Sequence, residues 1–282
     1  MRLWVRSLTG AVGLLLTASC ALVPATRQPG MPNPEGVRAQ LLRDEAAIRS
    51  VKGVARFGYE GPRGSGSGSA TQIIVLALPD RARVETLSPL GTTVLVATLQ
   101  GERLRVHSLM RREYAAGRAS QEALGRLVNV PVPPAILVRL LAGLPPLPVR
   151  AEDPRLQIIV EGSAVRVESV DAEWWQRLWT GPDGTGIERG EAGRISETAL
   201  RFGFADRRPT AGVEFPFAVW VEDAAKGGRL ELAYDRLKLN EPVEEALFDL
   251  PPPQDGQTRI IDLGGDLPPG AGHTGPREGE AK

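Results

Sequence analysis

Apolar positions recur along this chain with two different spacings, and the change between them organises the fold. Over 37–51 (VRAQLLRDEAAIRSV), Val37, Leu41, Leu42 and Ile48 fall near a 3.6-residue period and predict an amphipathic helix. Beyond it the period drops to two. Strands are predicted at 54–59, 70–78, 82–87, 93–99, 103–108, 112–116, 155–161, 164–169, 198–204, 215–222 and 229–239. Leu104 and Val106 alternate with Arg103, Arg105 and His107, and Val165 and Val167 flank Arg166. Leu200, Phe202 and Phe204 share a face opposite Arg201, while Leu230, Leu232 and Tyr234 oppose Arg229 and Glu231. Such alternation describes an antiparallel sheet with one apolar and one wet face. About eleven strands are more than a flat open sheet comfortably holds, so a barrel or half-barrel is expected.

Two further helices interrupt the strands. Ser120 can cap the first, which carries Leu124, Leu127 and Val128 on its apolar side. The second opens at Pro133-Pro134, carries Ile136, Leu137, Leu140 and Leu141, and stops at Gly143. Their apolar stripes need cover, and the concave face of the sheet supplies it. The run 64–69 (GSGSGS) lacks the following Lys and helix of a phosphate-binding loop and reads as a flexible hairpin connection. Residues 20–35 are rich in Pro and small residues and read as a tether. The Gly- and Pro-rich stretch 263–282 reads as a disordered tail, which leaves 36–262 for one folded domain.

The first 19 residues pair a basic start (Arg2, Arg6) with a short apolar run, Leu8 to Leu16, ending in small residues before Cys20. The run is too short for a bilayer span and has the form of a secretory signal. It resembles a bacterial lipoprotein signal, with Thr17 standing where that motif usually has Leu. The resemblance implies cleavage before Cys20 and acylation of the new N-terminus; an ordinary signal peptide is the alternative. Ala21 follows the Cys rather than Asp, which by the same resemblance directs the chain to the periplasmic face of the outer membrane.

Composition narrows the chemistry. The 282-residue chain balances 34 Lys+Arg against 34 Asp+Glu, which argues against a nucleic-acid binder. Losing the signal removes two Arg and no acid, so general attraction to anionic lipid is not expected and membrane residence rests on the acyl chains. One Cys and two His (107 and 273) exclude a disulfide framework and leave little for a metal site or a His-centred triad. No Ser stands in a nucleophile-elbow context, and Glu244-Glu245 read as surface acids on a helix rather than paired catalytic carboxylates. His107 is expected on the polar face of its strand. Trp174, Trp175 and Trp179 beside Glu173 could form a sugar-stacking platform or simply pack indole rings against the wall of the sheet. No enzymatic activity and no cofactor are expected.

Between Ser88 and Pro145 a set of motifs appears in a fixed order. Pro89-Leu90-Gly91 opens a strand, Arg112-Glu113-Tyr114 precedes the capped helix, and Val130-Pro131-Val132-Pro133-Pro134 links the two helices. The second helix closes with Gly143-Leu144-Pro145. This stretch resembles the outer-membrane lipoprotein receptor family LolB. The later strands, with Leu239-Asn240, Phe248 and Pro251-Pro252-Pro253, are similar to the wider LolA/LolB-like superfamily. The resemblance implies an α+β fold: a single antiparallel, strongly curved, unclosed β-barrel whose short helices cap an apolar cavity for acyl chains. It implies a monomer that takes acylated lipoproteins from a periplasmic LolA-like carrier and releases them into the outer membrane. Leu90, held between Pro89 and Gly91, would be the membrane-probing residue; without the resemblance, a Leu folded back into the hairpin core is the simpler reading. Candidate cavity residues are Ile74, Leu76, Val84, Leu95, Leu104, Val106, Leu137, Leu140, Phe202, Val219 and Leu232. The chain departs from the family in an insertion-like stretch from Trp174 through Gly193 and in its C-terminal extension. Two other roles stay open: a LolA-like carrier or sensor of a different envelope lipid, or a structural lipoprotein whose solid barrel docks a partner.

Overall fold

The structure, a computed structural model, describes residues 33–62, 66–128, 130–150, 153–181, 186–194 and 199–263. The signal segment, Cys20, most of the tether and the tail from 264 lie outside these residues. The described residues belong to one compact unit.

Helix α1 (Pro34–Ala47) starts two residues inside the stretch read as tether. Asn33 accepts the Glu35 N–H at 3.2 Å, and Pro34 suits the first turn. It ends earlier than the periodicity predicts because Asn240 stops it. The Asn240 amide donates to the Ala47 carbonyl (2.7 Å) and its oxygen accepts the Arg49 N–H (2.8 Å), so the chain turns at once into a strand.

The strands in chain order are β1 (Ser50–Glu60), β2 (Ser67–Ala77), β3 (Arg81–Leu87), β4 (Thr93–Gln100), β5 (Arg103–Ser108) and β6 (Glu113–Arg118). Helices α2 (Gln121–Val128) and α3 (Pro134–Leu141) follow. The second run is β7 (Gln157–Glu161), β8 (Ala164–Val170), β9 (Trp174–Thr180), β10 (Ile187–Arg194), β11 (Leu200–Thr210), β12 (Val213–Asp223) and β13 (Arg229–Leu239). A 3-10 turn (Glu245–Phe248) and β14 (Arg259–Asp262) close the described chain.

These strands make one curved sheet of 14, ordered β14-β6-β5-β4-β3-β2-β1-β13-β12-β11-β10-β9-β8-β7. All pairings are antiparallel except β14 with β6, and the end strands β14 and β7 do not meet, so the barrel is unclosed. The count of about eleven is corrected by β9, β10 and β14. Most of the stretch from Trp174 through Gly193 lies in two strands inside the sheet, β9 and β10. Further corrections are local. Strand β6 starts at Glu113 because Arg112 has φ 51°, and Ser67–Ser69 of the Gly-Ser run belong to β2. Gly68 is needed there, since a Cβ would lie 2.6 Å from the Tyr59 ring. Glu245 sits on a 3-10 turn rather than an α-helix, 3.8 Å from Arg81.

The outer face of the second half carries an ordered charge pattern. Glu168, Arg177, Glu191, Arg201, Glu222, Arg229 and Glu60 form one register row across seven neighbouring strands. Its signs alternate, so each charge faces an opposite neighbour. Trp179 and Trp220 lie beside this row under the guanidinium groups of Arg189 (4.3 Å) and Arg229 (4.5 Å). Trp174, by contrast, turns inward with Gln176 and Leu178. On the first half, residues beyond Asn240 strap the outer face. Phe248 is fully buried beneath Arg81, Arg83 donates to the Leu247 carbonyl (3.0 Å), and Tyr114 donates to the Leu250 carbonyl (2.6 Å).

Close packing in the second half makes a direct test. A Cβ at Gly190 would overlap the Phe202 ring and lie 2.9 Å from the Arg177 carbonyl of the neighbouring strand. Gly190→Ala should therefore destabilise the fold by about 1–3 kcal/mol, read as a lowered urea midpoint. An unchanged midpoint would contradict this packing.

Candidate functional site

The two halves of the sheet are filled differently. In the second half the inward side chains are packed solid: Leu178, Leu200, Phe202, Phe215 and Val221 are fully buried. Gln176 supports this region by bonding both backbone groups of Leu147, accepting at 2.9 Å and donating at 3.1 Å. The first half, with β13, instead surrounds a cavity of about 960 Å³. That lies at the upper end of the roughly 300–1,000 Å³ typical of small-molecule sites.

Helix α3 separates packed from hollow, and it is held firmly. Tyr234 donates to the carbonyl of its last residue, Leu141 (2.8 Å), and burial pushes the phenol well above its ordinary range, so it stays a neutral donor. Arg139, almost fully buried, makes a bidentate pair with Glu45 of α1 (2.8 and 2.6 Å) and donates to the Pro145 carbonyl (2.8 Å). Gly143, at φ 73°, lets the chain leave the helix against Pro216, where a Cβ would meet the ring at 2.6 Å. Helix α2 begins at Ser120, whose hydroxyl accepts the Ala123 N–H (3.1 Å). Leu124 and Leu127 of α2 and Leu137, Val138 and Leu141 of α3 line the cavity.

The sheet wall is stratified. Ile74, Val84, Ala97, Val106 and Ala115 form one register row facing the cavity; Ala82, Leu99 and Leu104 lie in the next row down. Toward the rim the next row reads Gln72, Thr86, Leu95, Ser108 and Glu113. Met110 and Arg111 of the β5–β6 turn, with Gly61 and Gly66 of the β1–β2 loop, line the rim.

Of the residues nominated from sequence, Ile74, Val84, Leu95, Leu104, Val106, Leu137 and Leu232 line this cavity. Leu76, Leu140, Phe202 and Val219 do not: each is buried where other side chains already fill the space. Gln72, Thr86, Phe57 and Tyr59 line the cavity and were not nominated. Gln72 was legible as a lone polar residue in phase with Ile74 and Leu76. His107 lies on the outer face, edge-on to Tyr114 with ring centroids 6.2 Å apart.

Pro89 and Leu90 occupy the β3–β4 turn at the rim end of the sheet. Gly91 donates to the Ser88 carbonyl (2.9 Å) and has φ 82°, while the Ser88 hydroxyl accepts the Leu90 and Thr92 N–H groups (3.3 and 3.2 Å). This small bonded loop leaves Leu90 92% exposed. At the same end, Met110 is 78% exposed on the β5–β6 turn, whose Leu109 N–H bonds to Val94 at the start of β4 (3.0 Å).

Among the described residues no cluster of three or more His, Cys, Asp and Glu could hold a metal, and no helix is long and apolar enough to cross a membrane. No family model and no curated protein matches the chain. Solved structures similar to it include a LolA superfamily protein from Nitrosomonas europaea: 12% identity, 76% of this chain and 96% of that one covered, TM-score 0.47. A DUF1329 family protein from Desulfovibrio piger is 9% identical over 78% of this chain and 98% of its own, at TM-score 0.49. An outer membrane lipoprotein-sorting protein domain from Vibrio parahaemolyticus is 11% identical over 77% of this chain and 97% of its own, at TM-score 0.47.

Proposed function

We propose that this chain is an envelope lipid-binding lipoprotein that shelters the acyl chains of other lipoproteins and releases them into the outer membrane, as LolB does. One observation carries the reading. An apolar cavity large enough for lipid has its rim at the end of the sheet where Leu90 and Met110 project into solvent. Isolated apolar turn tips have no folding role there, whereas a lipid surface gives both a place to go. The cavity would hold cargo tails near the bilayer surface that those tips touch. Cys20 would carry the lipid anchor on the periplasmic side, and a periplasmic LolA-like carrier would deliver cargo to a monomer.

In this reading no chemistry is performed and no nucleotide, metal or cofactor is needed, because tails would move down a gradient of apolar burial. The test is transfer of a radiolabelled lipoprotein from its periplasmic carrier to vesicles, with and without this protein. Transfer that rises with the protein, and falls when Ala97→Trp fills the cavity, supports the reading. Cargo that stays on its carrier with the wild-type protein present rejects the receptor role.

A further inference from the structure

The row of Gln72, Thr86, Leu95, Ser108 and Glu113 differs from the apolar rows beneath it, and Gln72 is its most informative member. Gln72 is only 9% exposed and lines the cavity, in phase with Ile74 on its own strand and paired with Thr86 on β3. Among the described residues, neither the Gln72 amide nor the Thr86 hydroxyl hydrogen-bonds to another residue. The rest of the row is committed: Glu113 pairs with Arg259 of β14, and the Ser108 hydroxyl accepts the Arg111 N–H (3.3 Å). The Gln72 amide opens on the cavity, and a purely hydrocarbon ligand filling that space would leave it without a partner, which is unfavourable. The acid in the row is already neutralised by an Arg, so what is left unpaired is uncharged.

We propose that Gln72 donates a hydrogen bond to the carbonyl of an ester or amide that links an acyl chain to its headgroup. The ligand is then an amphiphile bound tail-first. Its tail lies against Ile74, Val84, Ala97 and Val106, and its linkage lies level with Gln72 and Thr86. The assignment rests on the acyl-binding reading and adds to it a preference: acyl linkages over ether or plain hydrocarbon.

The test titrates the full chain with palmitoyl lysophosphatidylcholine and with its ether-linked hexadecyl counterpart, both below their micelle concentrations. The two probes differ in the carbonyl. The wild-type protein should bind the ester about 3- to 10-fold more tightly. Gln72→Leu should bring the ratio to about one, with ether affinity kept within about twofold. A carbon-13 label on the ester carbonyl adds a readout that needs no variant, since its infrared stretch should fall on binding to the wild-type protein. Equal affinities in the wild type, or a preference that survives Gln72→Leu, overturn the role of Gln72 and leave the cavity reading standing. If neither probe binds, both fall together.

Discussion

On the proposed transfer function, Leu90→Glu should slow release of cargo into a bilayer by about tenfold or more, while uptake from the carrier stays within about twofold. The asymmetry follows from position. Leu90 stands on a turn fixed by the Ser88 hydroxyl and the positive φ of Gly91, outside the cavity. Fully burying a Leu side chain contributes about 1.5–3 kcal/mol, and a carboxylate in its place would resist leaving water. Leu90→Met should keep most of the activity, because an apolar tip of similar size remains. Met110 offers a second contact at the same end, so Met110→Glu alone should be milder and the double variant worse than either. Release unchanged in Leu90→Glu would remove the turn from the mechanism and return Leu90 to an ordinary exposed loop residue.

The second large effect concerns stability. Glu45→Ala should destabilise the fold by about 3 kcal/mol, near the low end for a broken buried pair because Glu45 still meets some water. The damage comes from Arg139, which would keep its charge in the core and hold only the bond from its Nε to the Pro145 carbonyl. Arg139→Leu in the same chain should recover part of the loss, since an apolar side chain needs no counter-charge. Urea unfolding of both single variants and the double variant gives the coupling. If Glu45→Ala costs less than about half a kcal/mol, the pair is not what fixes α3 beside the cavity.

The sequence was readable where one face of an element is apolar and the other charged. That holds for β5, β8 and β13, and for α2 with its Ser120 cap. It fails at β9, where Trp175 and Trp179 face outward while Gln176 is buried inward, so apolar and polar residues occupy the wrong sides for a simple alternation. It fails at β10 because Gly190, Gly193 and four charged residues read as turn, although Gly190 is present to admit the Phe202 ring. Strand β14 has four residues and no period to detect. Periodicity also reports which way a side chain faces, not whether anything opposes it. Ile74 and Phe202 look alike in sequence, yet one borders open space and the other is packed solid. The PLG turn was visible as a motif, but its exposure depends on Ser88 closing the loop. Gln72 is visible in the sequence as a polar residue in phase with Ile74 and Leu76, but its place beside Thr86 on the cavity wall depends on the strand register.

The strand order has a consequence for how the molecule is made. Strand β1 is bonded on one side to its sequence neighbour β2 and on the other to β13, and the Ser50 N–H reaches Asn240 across a separation of 190 residues. A chain emerging N-terminus first can therefore build the β1–β6 meander early, but its first strand keeps a bare edge until nearly everything else has arrived. Pairings this distant in sequence tend to put folding in the millisecond-to-second range. Throughout that interval the rows destined for the cavity lie beside an unpaired edge, the arrangement most open to association with other chains. Newly made copies should accordingly depend on help from chaperones until β13 seals the wall.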